Sequence, residues 1–533
     1  MYSPSKKVVN VGFFRLSDDP IFSLPDSQLK KISSILSPQK IRLERAKFLL
    51  QTLPPQYEYP HKTADTARQA TSSSPGDFSP ANAFFFSFRP LPVSIESLKS
   101  HCYIGAGSGH GKSELIKRLA YGLMQNKKGV IILDPHGELA LQVAQWKEFS
   151  RDPERLVYFA PKFASETLET IPIINPLSSL YKAPDLDSAV ENFLAVMVAV
   201  VGDDSELSSR MKIILKPCLY TLANHENATI YDIFDFLGDD DQGRAWVETA
   251  KNTLTNRALL DTLNAFFDSH YKTTKSSIRD RLRALLSSDG LDKCLAGGAS
   301  SIDLKNAMDS GKIIIFNLAG MGADTCGAFG RFIVGTVQNI AMARYTQDSK
   351  ERKPVFMFLD EADRFISDAV VDIYKETRKY GLHLGIVQQI TGFKMKADTY
   401  RAIIGNSRVR FSGNAGGDEQ TAIDLARHTG TSKEDIRALP PLHFLVQEKQ
   451  TTAKRFCLMY DSNGETQGAE LLGDNNAMTA EEWHKVKQAQ ILRYYVKTGN
   501  TATIPPEHSE NTATAQKTPH TEQTKRNPIK FYD

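Results

Sequence analysis

Short apolar segments alternate with helix-like segments along most of the chain from about residue 95. Several of these apolar runs are unbroken, which is typical of central parallel strands that are covered on both faces. Because helical stretches separate the runs, the pattern predicts an α/β fold with a doubly wound sheet. The predicted strands are Cys102–Ile104, Val130–Leu133, Val157–Phe159, Ile313–Asn317, Val355–Leu359, His383–Val387 and Arg408–Ser412.

One long block between these strands has helical spacing and almost no strand signal. This block, residues 184–300, predicts an all-α domain inserted into the α/β core. The core is therefore predicted in two parts, 83–183 and 301–475, and the segment 476–497 is predicted to be a helix that begins with a capping box at Thr479. The remaining segments are predicted to be a small N-terminal region at 1–60, a flexible linker at 61–82 and a disordered tail at 498–533.

Composition limits the classes of protein that the chain can belong to. A formal net charge of only +3 over 533 residues does not indicate nucleic-acid binding, so any basic surface must be local. Five scattered cysteines without a CxxC pair fit a reducing compartment and provide neither a disulfide framework nor a zinc site. No apolar helical run approaches the roughly twenty residues that a membrane span needs. We therefore expect a cytoplasmic protein without direct membrane insertion.

The stretch IGAGSGHGKSEL at residues 104–115 contains the P-loop pattern G-x-x-x-x-G-K-[ST], with Ala106 in its first position. Glycines at 107, 109 and 111 are expected to take positive φ and to turn backbone N–H groups onto phosphate oxygens. The N-terminus of the following helix adds to that positive field. The residues predicted to bind ATP are Gly107, Ser108, Gly109, His110, Gly111, Lys112, Ser113 and Glu114.

Four side chains are predicted to carry out the hydrolysis of ATP. Lys112 reaches the β- and γ-phosphates in a P-loop, and the Ser113 hydroxyl is a Mg²⁺ ligand. The apolar run in PVFMFLDEADRF, residues 354–365, delivers Asp360 to the edge of the sheet where the phosphate loop lies. Asp360 is therefore predicted to hold Mg²⁺, and Glu361 to polarise the attacking water as a general base.

The strand LHLGIVQQ is predicted to lie beside the strand that ends in this acidic pair. Gln388 or Gln389 at its tip is expected to sense the γ-phosphate. Arg378, on the turn before the strand, is a candidate for an arginine finger that acts on a neighbouring subunit. A charge favoured by a helix dipole would explain Arg378 as well, and Arg408 and Arg410 compete for the same role.

The run IILDPHGEL ends a predicted strand at Asp134. One interpretation makes Asp134 catalytic or His136 a metal ligand. The interpretation that we favour is a tight turn that begins a helix, with Asp134 supporting the nucleotide pocket from outside.

The order of motifs carries a resemblance to a known family. The series is GxGHGKS, VIILDPHGEL, IINPL, SIRDRLRALLSSDGL, GKIIIFNLAG, FLDEADRF and RKYGLHLGIVQQ. It resembles the HerA/FtsK superfamily of hexameric pumping ATPases, and most of all the TraD/TraG-type coupling proteins of conjugation and type IV secretion. The resemblance covers about residues 95–450. In sequence, 360 − 112 = 248 residues separate Lys112 from Asp360, and the family fills this excess with an all-α domain.

The resemblance implies a RecA-like core, ATP and Mg²⁺ as cofactors, a homo-hexamer, and contacts with the DNA backbone. It also implies a relaxase or secretion-channel proteins as partners. By the same likeness Gln388 takes the sensor position, and Arg378 becomes the better finger candidate. Typical members begin with two transmembrane helices that this sequence does not show, so a partner would have to hold the protein at the inner membrane. The alternatives are a HerA-like DNA-processing ATPase and a secretion motor that moves protein substrates.

A translocating ring needs cations that contact the DNA backbone. For each candidate segment an ordinary solvated basic face is the competing interpretation. The candidates are residues 272–283, Lys394, Lys396 and the last helix at 484–497, where Tyr494 and Tyr495 offer a weak signal for base stacking.

Overall fold

The computed structural model describes residues 10–11, 14–15, 93–164, 168–183, 185–201, 205–295, 297–366, 374–392, 395–448, 451, 453–458 and 476–497. The chain divides into two compact units, of which the first comprises 1–90, 459–467 and 522–528. Its described part is an antiparallel pair, β1 (Asn10–Val11) with β2 (Phe14–Arg15). The rest of the predicted N-terminal region, the predicted linker and the predicted tail lie outside the described residues.

A nine-stranded sheet forms the centre of the second unit. Its strands follow the spatial order β12-β11-β10-β3-β9-β8-β4-β7-β5. The strands of this unit are β3 (Cys102–Gly105), β4 (Gly129–Asp134), β5 (Leu156–Phe159), β6 (Thr170–Pro172), β7 (Ile313–Asn317), β8 (Val355–Leu359), β9 (Leu382–Gln388), β10 (Val409–Ser412), β11 (His443–Glu448), β12 (Lys454–Cys457) and β13 (Tyr495–Lys497).

The seven strands predicted from the apolar runs are the seven parallel strands, from β10 to β5, and β11 and β12 extend the sheet antiparallel at one edge. Every residue of β3, β4, β5, β8 and β9 is buried, as unbroken apolar runs require. The predicted α/β fold is therefore confirmed.

Helices cover both faces of the sheet and produce two apolar cores. One core joins the sheet to the helices within residues 112–151, and the other joins it to the helix Ala323–Met342 and to the inserted helices. The helices are α1 (Ile95–Leu98), α2 (Lys112–Gln125), α3 (Glu138–Ala144), α4 (Glu148–Arg151), α5 (Leu186–Val201), α6 (Ser205–Leu222), α7 (Ile230–Phe236), α8 (Asp241–Thr253), α9 (Arg257–Asn264), α10 (Ser269–Leu286), α11 (Asp289–Leu295), α12 (Leu304–Asp309), α13 (Ala323–Met342), α14 (Ala397–Asn406), α15 (Glu419–Thr429), α16 (Lys433–Arg437) and α17 (Ala480–Tyr494).

The block at 184–300 contains α5 to α11, and its described residues include no strand. Local signals fix the helix starts, since the side chains of Asp240 and Asn256 accept hydrogen bonds from the first turns of α8 and α9. The block is joined to the core through α5 and α13, where a Cβ on Gly335 would lie 2.1 Å from Val196. Only a residue without a side chain allows these two helices to come so close.

The C-terminal segment differs from the prediction in one respect. The capping box is present, because the Thr479 side chain accepts from Glu482 N while the Glu482 carboxylate accepts from Thr479 N. However, the helix ends at Tyr494, and the last three residues form β13, which pairs antiparallel with β6. The Tyr495 hydroxyl donates to Tyr158 O at 2.7 Å, so this short sheet holds the segment on the core.

No helix within the described ranges is both long and apolar enough to cross a membrane.

Candidate nucleotide site

The carboxyl ends of four neighbouring strands bring the predicted site together. In the order β3-β9-β8-β4, Gly105 lies opposite Gln388, and Leu359 lies opposite both Ile386 and Leu133. The phosphate loop, the glutamine pair, the acidic pair and the turn after β4 therefore follow the same edge of the sheet. Ligands of open α/β sheets bind at this kind of edge.

The phosphate loop turns at two glycines, Gly109 with φ 73° and Gly111 with φ 95°. Gly107 does not have positive φ, contrary to the prediction. It is needed because a Cβ there would lie 2.7 Å from Gly416, and its N–H donates to Asn414 O at 2.7 Å. Sequence reasoning missed the loop 413–417, GNAGG, which follows β10; the asparagine beside paired glycines was the available signal for a tight turn.

Lys112 is the first residue of α2, so the lysine lies at the N-terminus of this helix. Its Nζ donates to Ala106 O at 2.9 Å and to Gly107 O at 2.8 Å, which folds the side chain back along the loop. Burial lowers the pKa of Lys112 to about 8, and the charges of Asp360 and Glu361 oppose that shift. The lysine thus lies within the field of the acidic pair.

The other predicted ATP-binding residues differ in their exposure. Ser108, Gly109 and Ser113 are exposed, and His110 is half-buried, with its pKa lowered by burial and by Lys112. Glu114 is different, because its carboxylate forms an ion pair with Lys117 one turn along α2. A carboxylate repels phosphate, so any contribution of Glu114 to ATP binding comes from its backbone.

Asp360 is almost fully buried, with 8% of its surface exposed. Its pKa is raised to about 6, chiefly by burial and also by the neighbouring Asp134, while Lys112 acts in the opposite direction. A divalent cation would relieve this uncompensated charge. Carboxylate and hydroxyl oxygens suit Mg²⁺, which takes one or two protein ligands and completes its shell with phosphates and water. Asp360 and Ser113 fit that donor set, and the described residues contain no group of three or more His, Cys, Asp or Glu side chains that could hold a metal.

Glu361 has a left-handed backbone, with φ 46° and ψ 53°, which a non-glycine residue rarely adopts. Three side chains contact its carboxylate. His136 Nε2 lies 2.9 Å and Gln389 Nε2 lies 3.0 Å from Oε1, and Arg364 Nε donates to Oε2 at 2.9 Å. The general base predicted from the sequence is therefore held in one orientation by three donors.

The two glutamines at the tip of β9 have different surroundings. Gln388 is buried, and its Oε1 accepts from the Tyr103 hydroxyl at 3.0 Å. Gln389 is half-exposed and contacts Glu361. The structure thus brings Gln389, and not Gln388, to the acidic pair.

The finger candidates lie at the opposite edge of the sheet. Arg378 belongs to a 3₁₀ turn, Thr377–Tyr380, that precedes β9, and its side chain is exposed. Arg408 precedes β10 and is also exposed. Arg410 is half-buried, and its guanidinium donates to Ile404 O at 2.9 Å and to Ser407 O at 3.2 Å. Arg410 is therefore bound within its own subunit, which leaves Arg378 and Arg408 as candidates.

The turn after β4 agrees with the simpler of its two interpretations. The Asp134 carboxylate accepts from His136 N and from Ala140 N, both at 2.8 Å, and fixes the turn. Asp134 also supports the pocket electrostatically through its effect on the pKa of Asp360.

Two of the candidate DNA contacts have partners within the chain. Lys275 is 2% exposed, pairs with Asp239, and lies over the ring of Phe266 at 4.8 Å. In the last helix, Lys485 pairs with Glu481 at 2.7 Å.

The aromatic pair at the end of the helix and the start of β13 also has partners within the chain. The Tyr494 hydroxyl accepts from Lys312 Nζ at 3.2 Å, and the Tyr495 hydroxyl donates to Tyr158 O. Both rings are buried, so neither is free to stack on a base. Lys396 has interactions within the chain, and Lys394 lies outside the described residues.

Comparison with known proteins assigns the two parts of the core. The family model described as "Helicase HerA, central domain" matches residues 87–335, and the model described as "TraM recognition site of TraD and TraG" matches residues 354–438. A comparison with curated protein sequences gives no match.

Solved structures show the same fold. The unbound bacterial conjugative coupling protein TrwBdeltaN70 is 16% identical, with a TM-score of 0.52 over 69% of this chain and 87% of that chain. The plasmid coupling protein TrwB with ADP and Mg²⁺ is 16% identical, with a TM-score of 0.51 over 70% of this chain and 89% of that chain. Residues 87–335 are thus similar to the central domain of HerA, and residues 354–438 to the TraM recognition site of TraD and TraG, on a fold that is shared with TrwB.

Proposed function

We propose that the chain is an ATP-driven motor that moves DNA through a homo-hexameric ring, in the manner of a conjugative coupling protein. The observation that carries the proposal is the meeting of Lys112, Asp360 and Glu361 at one sheet edge, in a core whose two parts match HerA and TraD/TraG. The fold is shared with TrwB, which has been solved with an ATP analogue and with ADP and Mg²⁺.

Each residue of the edge has a part in the proposed hydrolysis. The loop amides and Lys112 would bind the β- and γ-phosphates. Ser113 and Asp360 would hold Mg²⁺, which would neutralise charge on the phosphates. Glu361 takes a proton from the attacking water. The oxygen of that water bonds to the γ-phosphorus, and the bond from the γ-phosphorus to ADP breaks. Gln389, which contacts Glu361, is better situated than Gln388 to report the presence of the γ-phosphate.

We propose that the finger comes from a second copy of the chain. Arg378 precedes β9 and Gln389 follows it, and a seven-residue strand is about 23 Å long. No arginine side chain spans that distance, so Arg378 cannot reach the nucleotide of its own subunit. Its exposure at the far edge supports a role in trans, and Arg408 at the same edge is the second candidate.

Partners and location remain part of this proposal. The match to the TraM recognition site of TraD and TraG favours docking to a DNA-processing complex or a secretion channel. We propose that the protein works on the cytoplasmic side and that such a partner holds it at the inner membrane.

Turnover measured with and without DNA at low salt tests the proposal. We expect ATP hydrolysis that single- or double-stranded DNA stimulates and that rising salt weakens, because backbone contacts are electrostatic. Glu361→Gln should lose about 100-fold or more in kcat while it still binds ATP. Turnover that Glu361→Gln leaves unchanged would contradict the ATPase, and turnover that no DNA stimulates would instead favour a motor for protein substrates.

A further inference from the structure

The geometry points to His136 as a positioning residue for hydrolysis: it holds the Glu361 carboxylate in the orientation in which that group accepts the proton of the attacking water. The contact that carries this inference is the 2.9 Å separation between His136 Nε2 and Glu361 Oε1. The inference rests on the proposed ATPase function and adds to it a residue from a different strand.

The turn that carries His136 is rigidly built. Asp134, which is 1% exposed, accepts hydrogen bonds from the His136 and Ala140 amides. Gly137 follows with φ 85°, and a Cβ there would lie 2.5 Å from Asn317 Oδ1. The backbone position of His136 is thus fixed by groups on both sides.

The imidazole ring of His136 contributes little to the packing of the fold. Its side chain is 57% exposed, so it contributes little apolar burial. Among the described residues, the ring contacts the carboxylate of Glu361. A ring that is fixed at its backbone, exposed to solvent and directed at a catalytic carboxylate has the geometry of a positioning residue.

Glu361 needs support from outside its own segment. The strands β4 and β9 flank β8, so His136 and Gln389 approach Oε1 from opposite sides, while Arg364 of the same turn holds Oε2. A carboxylate on a left-handed residue could otherwise rotate about its side-chain bonds. Small misalignments of a general base reduce the rate of the chemical step more than they reduce substrate binding.

In this arrangement His136 does not exchange a proton with substrate. Its Nε2–H donates to Oε1, and the proton of the attacking water goes to the Glu361 carboxylate. Loss of His136 should therefore reduce kcat and leave the affinity for ATP unchanged.

Steady-state ATP turnover of the full chain, measured in the presence of DNA, tests the inference with four variants. We expect His136→Ala to lower kcat about 10- to 100-fold with KM unchanged. His136→Gln should recover much of the rate, since its amide can donate to the same oxygen. His136→Ala combined with Glu361→Gln should be no slower than Glu361→Gln alone, because the histidine acts only through that carboxylate.

His270→Ala serves as the matched control, since His270 is an exposed histidine of the inserted helices. Should His136→Ala fold poorly, His136→Leu keeps the bulk without the donor. An unchanged kcat, a raised KM, or a further loss in the double variant would overturn the inference. Absence of wild-type turnover would overturn the proposed function and this inference with it, whereas an active wild type, an inactive Glu361→Gln and an unaffected His136→Ala would overturn the inference alone.

Discussion

The two edges of the parallel sheet carry opposite chemistry. At the carboxyl edge lie Asp360 and Glu361, both held in unfavourable states, one by burial of its charge and the other by a left-handed backbone. At the amino edge lie exposed guanidinium groups, Arg378 among them, above two buried and neutral histidines. Parallel strands place every strand start on one edge and every strand end on the other, so Arg378 and the acidic pair lie at opposite edges, while Lys112 and Arg364 lie beside the acids.

Under the proposed function, this difference gives each edge its own part in hydrolysis. The acidic edge would bind the nucleotide, and the exposed Arg378 and Arg408 lie a strand length away from it. A second copy of the chain could then bring one of these arginines to the nucleotide.

The largest expected effect comes from removing the proposed contact between Arg378 of one copy and the nucleotide site of another. Arg378→Ala should lower kcat about 10³-fold while ATP binding is kept, because a finger stabilises the transition state. Lys112→Ala should also be inactive. If the residues act in trans, mixing the two inactive variants should restore activity, since about a quarter of the sites in a randomly mixed ring contain both wild-type groups.

Turnover of the mixed variants at several ratios measures this effect, and Arg408→Ala measured in parallel tests the second candidate at the same edge. A mixture that stays inactive, or an Arg378→Ala variant that no longer binds ATP, would show that Arg378 does not act across an interface.

A second prediction separates two adjacent residues of the acidic edge. Gln389→Ala should lower kcat about tenfold because it removes a donor to Glu361. Gln388→Ala should instead destabilise the fold by about 1–3 kcal/mol, since the buried Tyr103 hydroxyl loses its partner. Kinetics and urea unfolding of both variants distinguish the two roles, and the reverse assignment of effects would contradict the structure.

The amino edge should make the protein sensitive to acid. Burial lowers the pKa of His101 to about 4, with Arg378 adding to the shift, and burial lowers that of His383 to about 3. Unfolded histidine titrates near 6.5, so below that pH the unfolded state binds more protons than the folded state. The free energy of unfolding should therefore fall by about 2 kcal/mol between pH 6.5 and 5.5, and continue to fall down to the folded-state values.

Urea unfolding at pH 7.5, 6.5 and 5.5 measures this slope. Replacing both histidines with glutamine should reduce the fall by about 2 kcal/mol over that interval, whereas His270→Gln should leave it unchanged. The buried His428 and His443, whose pKa values are also lowered to about 4, should maintain a residual slope. A slope that the double replacement leaves unchanged would place the acid sensitivity elsewhere.

The smallest expected effect concerns the stability that the protein loses by burying the charge of Asp360. Because folding raises the pKa of Asp360, its charged form destabilises the protein at pH values above about 6, and this penalty vanishes as pH falls below 4. Asp360→Asn should raise the free energy of unfolding by about 1–2 kcal/mol at pH 7.5 without Mg²⁺. The expected gain is this small because the substitution also removes the attraction between Asp360 and Lys112. Thermal unfolding of the two proteins measures it, and destabilisation would contradict the expected cost.

The sequence was sufficient to predict features that depend on residues close together in the chain. Apolar runs predicted all seven parallel strands, since a strand buried on both faces needs apolar residues throughout. The capping box at Thr479 needs only residues three apart. Asp360 and Glu361 are neighbours in the chain, so an apolar run that ends beside them determines which edge they occupy.

The sequence was insufficient where contacts cross between strands. Gln388 and Gln389 are equivalent in composition, and only the register of β9 decides which amide meets Glu361, because side chains alternate between the faces of a strand. Gly107 was expected to adopt positive φ, and it is instead a point of close approach to a loop more than 300 residues away.

The chain by itself determined an α/β fold, a phosphate loop and a pair of carboxylates, because each of these depends on residues close together in sequence. The tertiary structure alone decided that β3 is the second neighbour of β9 and that His136 and Gln389 both contact Glu361. The physical reason is that strand order and register come from packing of the whole sheet, and distances between side chains on different strands are set only when that packing is complete.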